Sequence, residues 1–202
     1  VQPSYQFIKA LLNNEKGLHI DKDHFMTISP DEGSMNRAIY LANVLGVDMG
    51  MYYKRLDYSR YVNGRHPIAA YEFLGPKIEG KDMILIDDMI SSGDTIIKIA
   101  SLLKEKGAGR VYICSTFGFF TDGLDKFDDA YKKGYFDKLL TTNLVYQSPE
   151  LLEKPYYISC DMSKYIALII DTLNHDTSVS HLLNPVDRIK RCVTNYMSQH
   201  EK

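Results

Sequence analysis

The chain has no apolar run near the roughly 20 residues that a helix needs to cross a bilayer. No secretory signal, internal repeat or low-complexity tract is visible in it. It also lacks an excess of charge of either sign: 24 Lys and Arg stand against 26 Asp and Glu, a net −2 at pH 7. That balance gives no electrostatic reason to expect a nucleic acid or an anionic membrane as partner. Cysteine is scarce. Cys114, Cys160 and Cys192 cannot all pair, and none has metal-ligand spacing, so buried free thiols in a reducing cytoplasm are expected. The six histidines, His19, His24, His66, His175, His181 and His200, are scattered without metal-binding spacing.

What is present is an ordinary core composition, 45% hydrophobic in 202 residues, enough for one large domain. Strand-like and helix-like stretches alternate. Strands are expected at His24–Ser29, Asp48–Tyr53, Ala70–Leu74, Met83–Ile86, Val111–Ser115, Leu139–Thr142 and Tyr156–Ser159. Helical spacing of apolar residues marks Ser34–Leu45, Thr95–Lys106, Leu124–Lys132 and Met162–Leu173, and a terminal helix follows Pro185. Gly107 is placed to end the second of these helices. Residues 54–67 carry Lys54, Arg55, Arg60 and Arg65 and have neither period, so a long mobile loop is expected there. This alternation predicts an α/β fold with a doubly wound, mostly parallel sheet flanked by helices. The organisation expected is a lead-in over 1–23, a catalytic domain over 24–184 and a helical extension over 185–202. The first residues, from Val1 to Phe7, read as the middle of something longer.

Residues 83–95 carry the chemistry. An apolar run ends in Asp87 and Asp88, at the carboxyl edge where open α/β sheets bind ligands. Ser91, Ser92, Gly93, Asp94 and Thr95 follow, offering hydroxyls and backbone N–H groups to an anion at a helix start. The plain alternative is a solvated strand-to-helix turn with an N-cap. Acids beside an anion cradle make sense for a ligand carrying both hydroxyls and a phosphate, as ribose 5-phosphate does.

This stretch resembles the phosphoribosyl-pyrophosphate-binding loop of the type I phosphoribosyltransferase fold. Further matches narrow the likeness to ribose-phosphate pyrophosphokinases. Ser29-Pro30-Asp31-Glu32-Gly33-Ser34 with Arg37-Ala38 resembles their pyrophosphate loop. Tyr53-Lys54-Arg55 resembles the entrance to their catalytic loop. Ser115-Thr116-Phe117-Gly118, Thr142-Asn143 and Thr177–Leu183 are similar to later motifs in the same order. The likeness covers roughly residues 24–183 and corresponds to the second of that family's two similar domains. The first domain contributes a catalytic histidine and much of the ATP site, which implies a longer parent for this chain.

The resemblance implies transfer of diphosphate from ATP to the 1-hydroxyl of ribose 5-phosphate, giving phosphoribosyl pyrophosphate and AMP. Asp87 and Asp88 would hold the ribose hydroxyls, and Ser91–Thr95 the 5-phosphate. Asp31, Gly33 and Ser34 would form the pyrophosphate loop, with Asp31 holding Mg²⁺. The plain reading of Asp31 is an N-cap. Lys54 and Arg55 would neutralise transition-state charge from a mobile loop; their plain reading is a solvated basic segment. A cytoplasmic homo-oligomer is implied, with no nucleic acid and no membrane as partner.

The sequence departs from that family at Ser34 (where a second Gly is usual), Leu56 (Arg), Ser91 (Asp), Asp94 (a small residue) and Phe117 (His). The shared loop at 83–95 keeps a phosphoribosyltransferase of nucleotide salvage open, and the departures at Ser34, Leu56, Ser91 and Phe117 keep a noncatalytic regulatory subunit open.

Overall fold

The structure is a computed structural model; it describes residues 3–56, 58, 59, 61, 64 and 68–200, without the side chains of Leu56, Ile68, His181 and His200. Arg60, Arg65 and His66 therefore lie outside the described residues.

Seven strands form one sheet: β1 (Phe25–Ser29), β2 (Asp48–Leu56), β3 (Ile68–Leu74), β4 (Asp82–Ile90), β5 (Val111–Gly118), β6 (Lys138–Thr142) and β7 (Tyr157–Cys160). Their order is β3-β2-β1-β4-β5-β6-β7. Every pairing is parallel except β2 with β3, which is antiparallel. The expected architecture is the one observed.

Period-2 alternation sorts the central strands between two cores. From β4, Met83 and Leu85 join one cluster, with Met26, Ile28, Val111, Ile113 and Leu139. α3 (Asp94–Glu105) and α4 (Asp125–Lys132) cover that face through Ile96, Ile99, Leu103 and Phe127. Ile84 and Ile86 join the opposite cluster with Phe25, Tyr112, Cys114 and Leu140. That face is covered by α1 (Ser4–Asn14), α2 (Met35–Leu45) and α8 (Val186–His200), through Phe7, Ile8, Leu11, Leu41 and Ile189. Strands buried on both sides read as unbroken apolar runs, which is why Met83–Ile86 was legible.

Three expectations change in detail. First, β2 runs on through Lys54 and Arg55 because β3 pairs with it from Met51↔Leu74 to Leu56↔Ile68; these two residues belong to a strand, not to a mobile loop. Second, β4 does not stop before Asp87, because β5 continues to pair with it as far as Ile90↔Gly118. Third, residues 4–14 of the lead-in are a helix packed on α8, so both ends of the chain join the second core. Gly107 does follow α3, at φ +81, where its N–H reaches Lys104 O and Ala108 N reaches Leu103 O. Cys114 and Cys160 are buried and Cys192 is partly so; all three are free thiols. No helix among the described residues is long and apolar enough to cross a membrane.

Candidate active site

After β1 the chain moves outward to β2 and β3, then returns to lay β4 on β1's other side. The sheet order reverses between β1 and β4, and a crevice opens beyond their carboxyl ends. Pairing of β1 with β4 ends at Ile28↔Leu85, while β4 extends five residues further beside β5 alone. The open edge of that extension carries Asp87 and Asp88. The loop after β1 faces it. Between them lies a cleft of about 350 Å³, lined by Asp31, Gly33, Ser34 and the run Asp87–Ile96, within the usual size of small-ligand sites.

On the β1 side, the Ser29 hydroxyl donates to Asp31 O at 2.6 Å and pins the loop start. Asp31 Oδ1 accepts from Gly33 N at 3.1 Å, capping a single 3-10 turn over Glu32–Ser34. Lys54 Nζ lies 3.0 Å from Asp31 Oδ2, both side chains partly buried. Asp31 is thus the expected N-cap and also lines the cleft. Arg55, next along an alternating strand, points the other way and pairs with Glu72 at 3.0 Å. Lys54 reaches Asp31 at the edge of the cleft and lines a neighbouring hollow with Asp31, Glu32 and Gly33, whereas Arg55 lines neither.

On the β4 side, Asp87 Oδ1 accepts from the buried Ser34 hydroxyl at 2.6 Å and from Asp88 N at 2.8 Å. Burial pushes the Asp87 carboxyl above the ordinary carboxylate range; Asp88 and Asp31 push the same way, while the Ser34 hydroxyl and the Asp88 N–H oppose them. Asp88 Oδ2 pairs with Arg37 at 3.4 Å, across from the first turn of α2.

The loop before α3 completes the cleft. Gly93 stands at φ +84 just before Asp94, the first residue of α3. Ser91 Oγ lies 3.3 Å from Thr121 Oγ1. Ser92 Oγ donates to Asp94 Oδ2 at 2.9 Å, and Lys126 of α4 holds Asp94 Oδ1 at 2.8 Å. The Lys126 hydrogen bond is the main reason Asp94 titrates below the usual carboxylate value. The extra acid in the loop is thereby committed to α4, while the Asp94 N–H donates to Ser92 Oγ at 3.5 Å.

Arg37 and Lys126 are the charged partners that the sequence reading passed over as site residues. Arg37 had a signal, since it sits three residues after Ser34 on the same helical face. Lys126 had none, because only the packing of α4 on α3 brings it to Asp94. Thr142 and Asn143 are structural: Thr142 Oγ1 donates to Thr116 O at 2.6 Å, and Asn143 Oδ1 accepts from Met162 N at 2.8 Å at the start of α6 (Ser163–Asn174).

Phosphoribosyl synthetase-associated domains match this chain over residues 65–184, more than half of it. The chain belongs to that family. The phosphoribosyl synthetase-associated domain described here is also similar to ribose-phosphate pyrophosphokinases. The relative from Vibrio parahaemolyticus is 29% identical over 163 residues, 80% of this chain and 49% of the relative. The one from Thermococcus kodakarensis is 31% identical over 121 residues, 59% of this chain and 39% of the relative. The chain spans about half the length of the curated relatives it matches. Its fold is shared with phosphoribosylpyrophosphate synthetase from Mycobacterium smegmatis, at a TM-score of 0.66 and 21% identity over 86% of this chain and 51% of that one.

Proposed function

We propose that this chain is the ribose 5-phosphate half of a ribose-phosphate diphosphokinase. The reaction transfers diphosphate from ATP to the 1-hydroxyl of ribose 5-phosphate and yields phosphoribosyl pyrophosphate and AMP. One observation carries the reading: Asp87 and Asp88 on β4 and the helix-start loop 91–95 line the same cleft at the sheet's switch point. A hydroxyl-binding pair and an anion cradle in one cleft match the two ends of a sugar phosphate. The likeness to relatives named ribose-phosphate pyrophosphokinase supports it.

In this reading the carboxylates of Asp87 and Asp88 accept hydrogen bonds from the ribose hydroxyls. Backbone N–H groups around Gly93–Thr95 and the hydroxyls of Ser91, Ser92 and Thr95 hold the 5-phosphate. Holding both ends fixes the 1-hydroxyl for in-line attack. Lys54 can leave Asp31 for an incoming phosphate, a short move for a flexible stem. Among the described residues no three His, Cys, Asp or Glu side chains converge on a metal position. Mg²⁺ takes one or two carboxylates and fills its shell with substrate oxygens and water. Asp31 would hold it, and the ion would supply charge neutralisation on the transferred phosphates. The ATP side calls for groups beyond these residues. The reading extends to a cytoplasmic homo-oligomer, for which Ile170 and Leu173, exposed on α6, supply apolar surface.

The test is AMP release from ATP and ribose 5-phosphate by the full-length parent protein. Base-dependent pyrophosphate release without AMP would instead make it a salvage transferase. Ligand binding with no AMP formed would make it a noncatalytic subunit. Within the site, Asp88→Ala is expected to abolish ribose 5-phosphate binding by calorimetry; an unchanged Kd sinks the assignment of that carboxylate.

A further inference from the structure

Asp87 carries the strongest conflict in the cleft. It is a half-buried carboxylate with Asp88 beside it on β4 and Asp31 facing it from the turn after β1. Arg37 and Tyr40, both on α2, line a small hollow with it, and Arg37 is engaged with Asp88. No cation pairs with Asp87 among the described residues. What holds it is one hydroxyl and one backbone N–H. Ser34 is 1% exposed, and it is delivered by the 3-10 turn that Asp31 caps. Its Oγ spans from the β1 loop to β4 and donates at 2.6 Å. That bond and the Asp88 N–H both end on Oδ1. No N–H or hydroxyl of the described residues donates to Oδ2, and the neighbouring Asp88 carboxyl is within hydrogen-bonding reach of the Asp87 carboxyl.

Resting on the ribose 5-phosphate reading above, we propose that Ser34 is a positioning residue. It occupies Oδ1 of Asp87 and so turns Oδ2 to a ribose hydroxyl. The position is unusual in carrying this hydroxyl: a glycine there, as the resemblance led one to expect, supplies no donor. Here the pyrophosphate loop and the ribose carboxylate are tied directly, so disturbing the loop disturbs the sugar's acceptor.

The physical logic is one of competing donors. A buried carboxylate among other acids favours its protonated form. A hydroxyl donating to the ionised form opposes this, because that hydrogen bond is charge-assisted. Removing the hydroxyl therefore raises the Asp87 midpoint and leaves Oδ1 held by the Asp88 N–H alone, two effects that a merely space-filling serine would not produce.

The experiment uses the full chain as wild type, Ser34→Ala and Ser34→Thr. Carboxyl ¹³C NMR follows the Asp87 midpoint, and calorimetry follows ribose 5-phosphate affinity, both as functions of pH. The ligand phosphate itself titrates near pH 6, equally for every variant, so differences between variants isolate the protein group. Ser34→Ala should raise the Asp87 midpoint and weaken ribose 5-phosphate binding at pH 7 about tenfold, the factor associated with a hydrogen bond to a charged group. Ser34→Thr, which keeps the hydroxyl, should recover most of both. An unmoved Asp87 midpoint in Ser34→Ala overturns the proposal. So does a raised midpoint with unchanged affinity. A wild-type chain that binds no ribose 5-phosphate overturns the function reading and its ligand together, whereas binding by wild type and Ser34→Ala alike overturns the role of Ser34 alone.

Discussion

Gly93 and Asp87, both lining the cleft, act on stability in opposite directions. Gly93 has φ +84, and a Cβ there would lie 2.3 Å from Phe127 Cζ. Both the backbone angle and the packing of α4 demand glycine. Gly93→Ala is expected to cost about 2–4 kcal/mol, read as a lower Tm, with phosphate binding lost as the loop shifts. Asp87 acts in the other direction. Its pKa is higher in the fold than in the unfolded chain, so its unfavourable contribution grows as pH rises from the unfolded carboxylate range through the folded value, and is complete above it. Asp87→Asn keeps an acceptor for Ser34 and sheds the charge. It should raise Tm at pH 7, with the gain vanishing below about pH 3, where the aspartate is protonated in both states. A Tm at pH 7 equal to or below wild type would show that the buried charge is not what limits stability there.

At the scale of elements, one pair borders the cleft and another holds the second core. The β2–β3 hairpin sets the facing of Lys54 and Arg55: one residue of register would exchange them. The α1–α8 pair closes the second core. Ile189 is fully buried in it, and the Tyr196 hydroxyl donates to Glu15 O at 2.9 Å while accepting from Leu18 N at 3.1 Å. Ile189→Ala should cost about 3 kcal/mol, roughly a 10 °C fall in Tm for a domain this size. Tyr196→Phe, which removes only the hydroxyl, should cost about 1 kcal/mol. Neither lies in the cleft, so ribose 5-phosphate affinity below the melting range should stay at the wild-type value; a changed Kd would tie α8 to the site.

For the whole molecule, one sheet separates two cores and every central strand feeds both, so neither core can melt and leave the other intact. Differential scanning calorimetry of the 202-residue chain should give one transition with equal calorimetric and van't Hoff enthalpies; two transitions would mean that the α1–α8 layer unfolds on its own. The same layering explains what was legible. Unbroken apolar runs such as Met83–Ile86 and helical faces such as Ile96, Ile99 and Leu103 follow from burial against a parallel sheet, so the fold class was readable from periodicity. Asp87, Asp88 and Ser91–Thr95 were readable because strand end, loop and helix start are contiguous in the chain. Strand lengths were not readable. The extension of β2 through Arg55 and of β4 through Ile90 depends on partners β3 and β5, and pairing is a long-range choice that local propensity does not encode. Nor were the partners of the acids: Ser34 to Asp87, Arg37 to Asp88, Lys54 to Asp31 and Lys126 to Asp94 are contacts between separate elements. Local sequence, then, determined that Asp87, Asp88 and the run Ser91–Thr95 stand together along the chain where the cleft forms. The tertiary structure alone decided which donor each carboxylate meets, because charge and hydrogen bonding act through distance in space, which only the packed sheet and helices define.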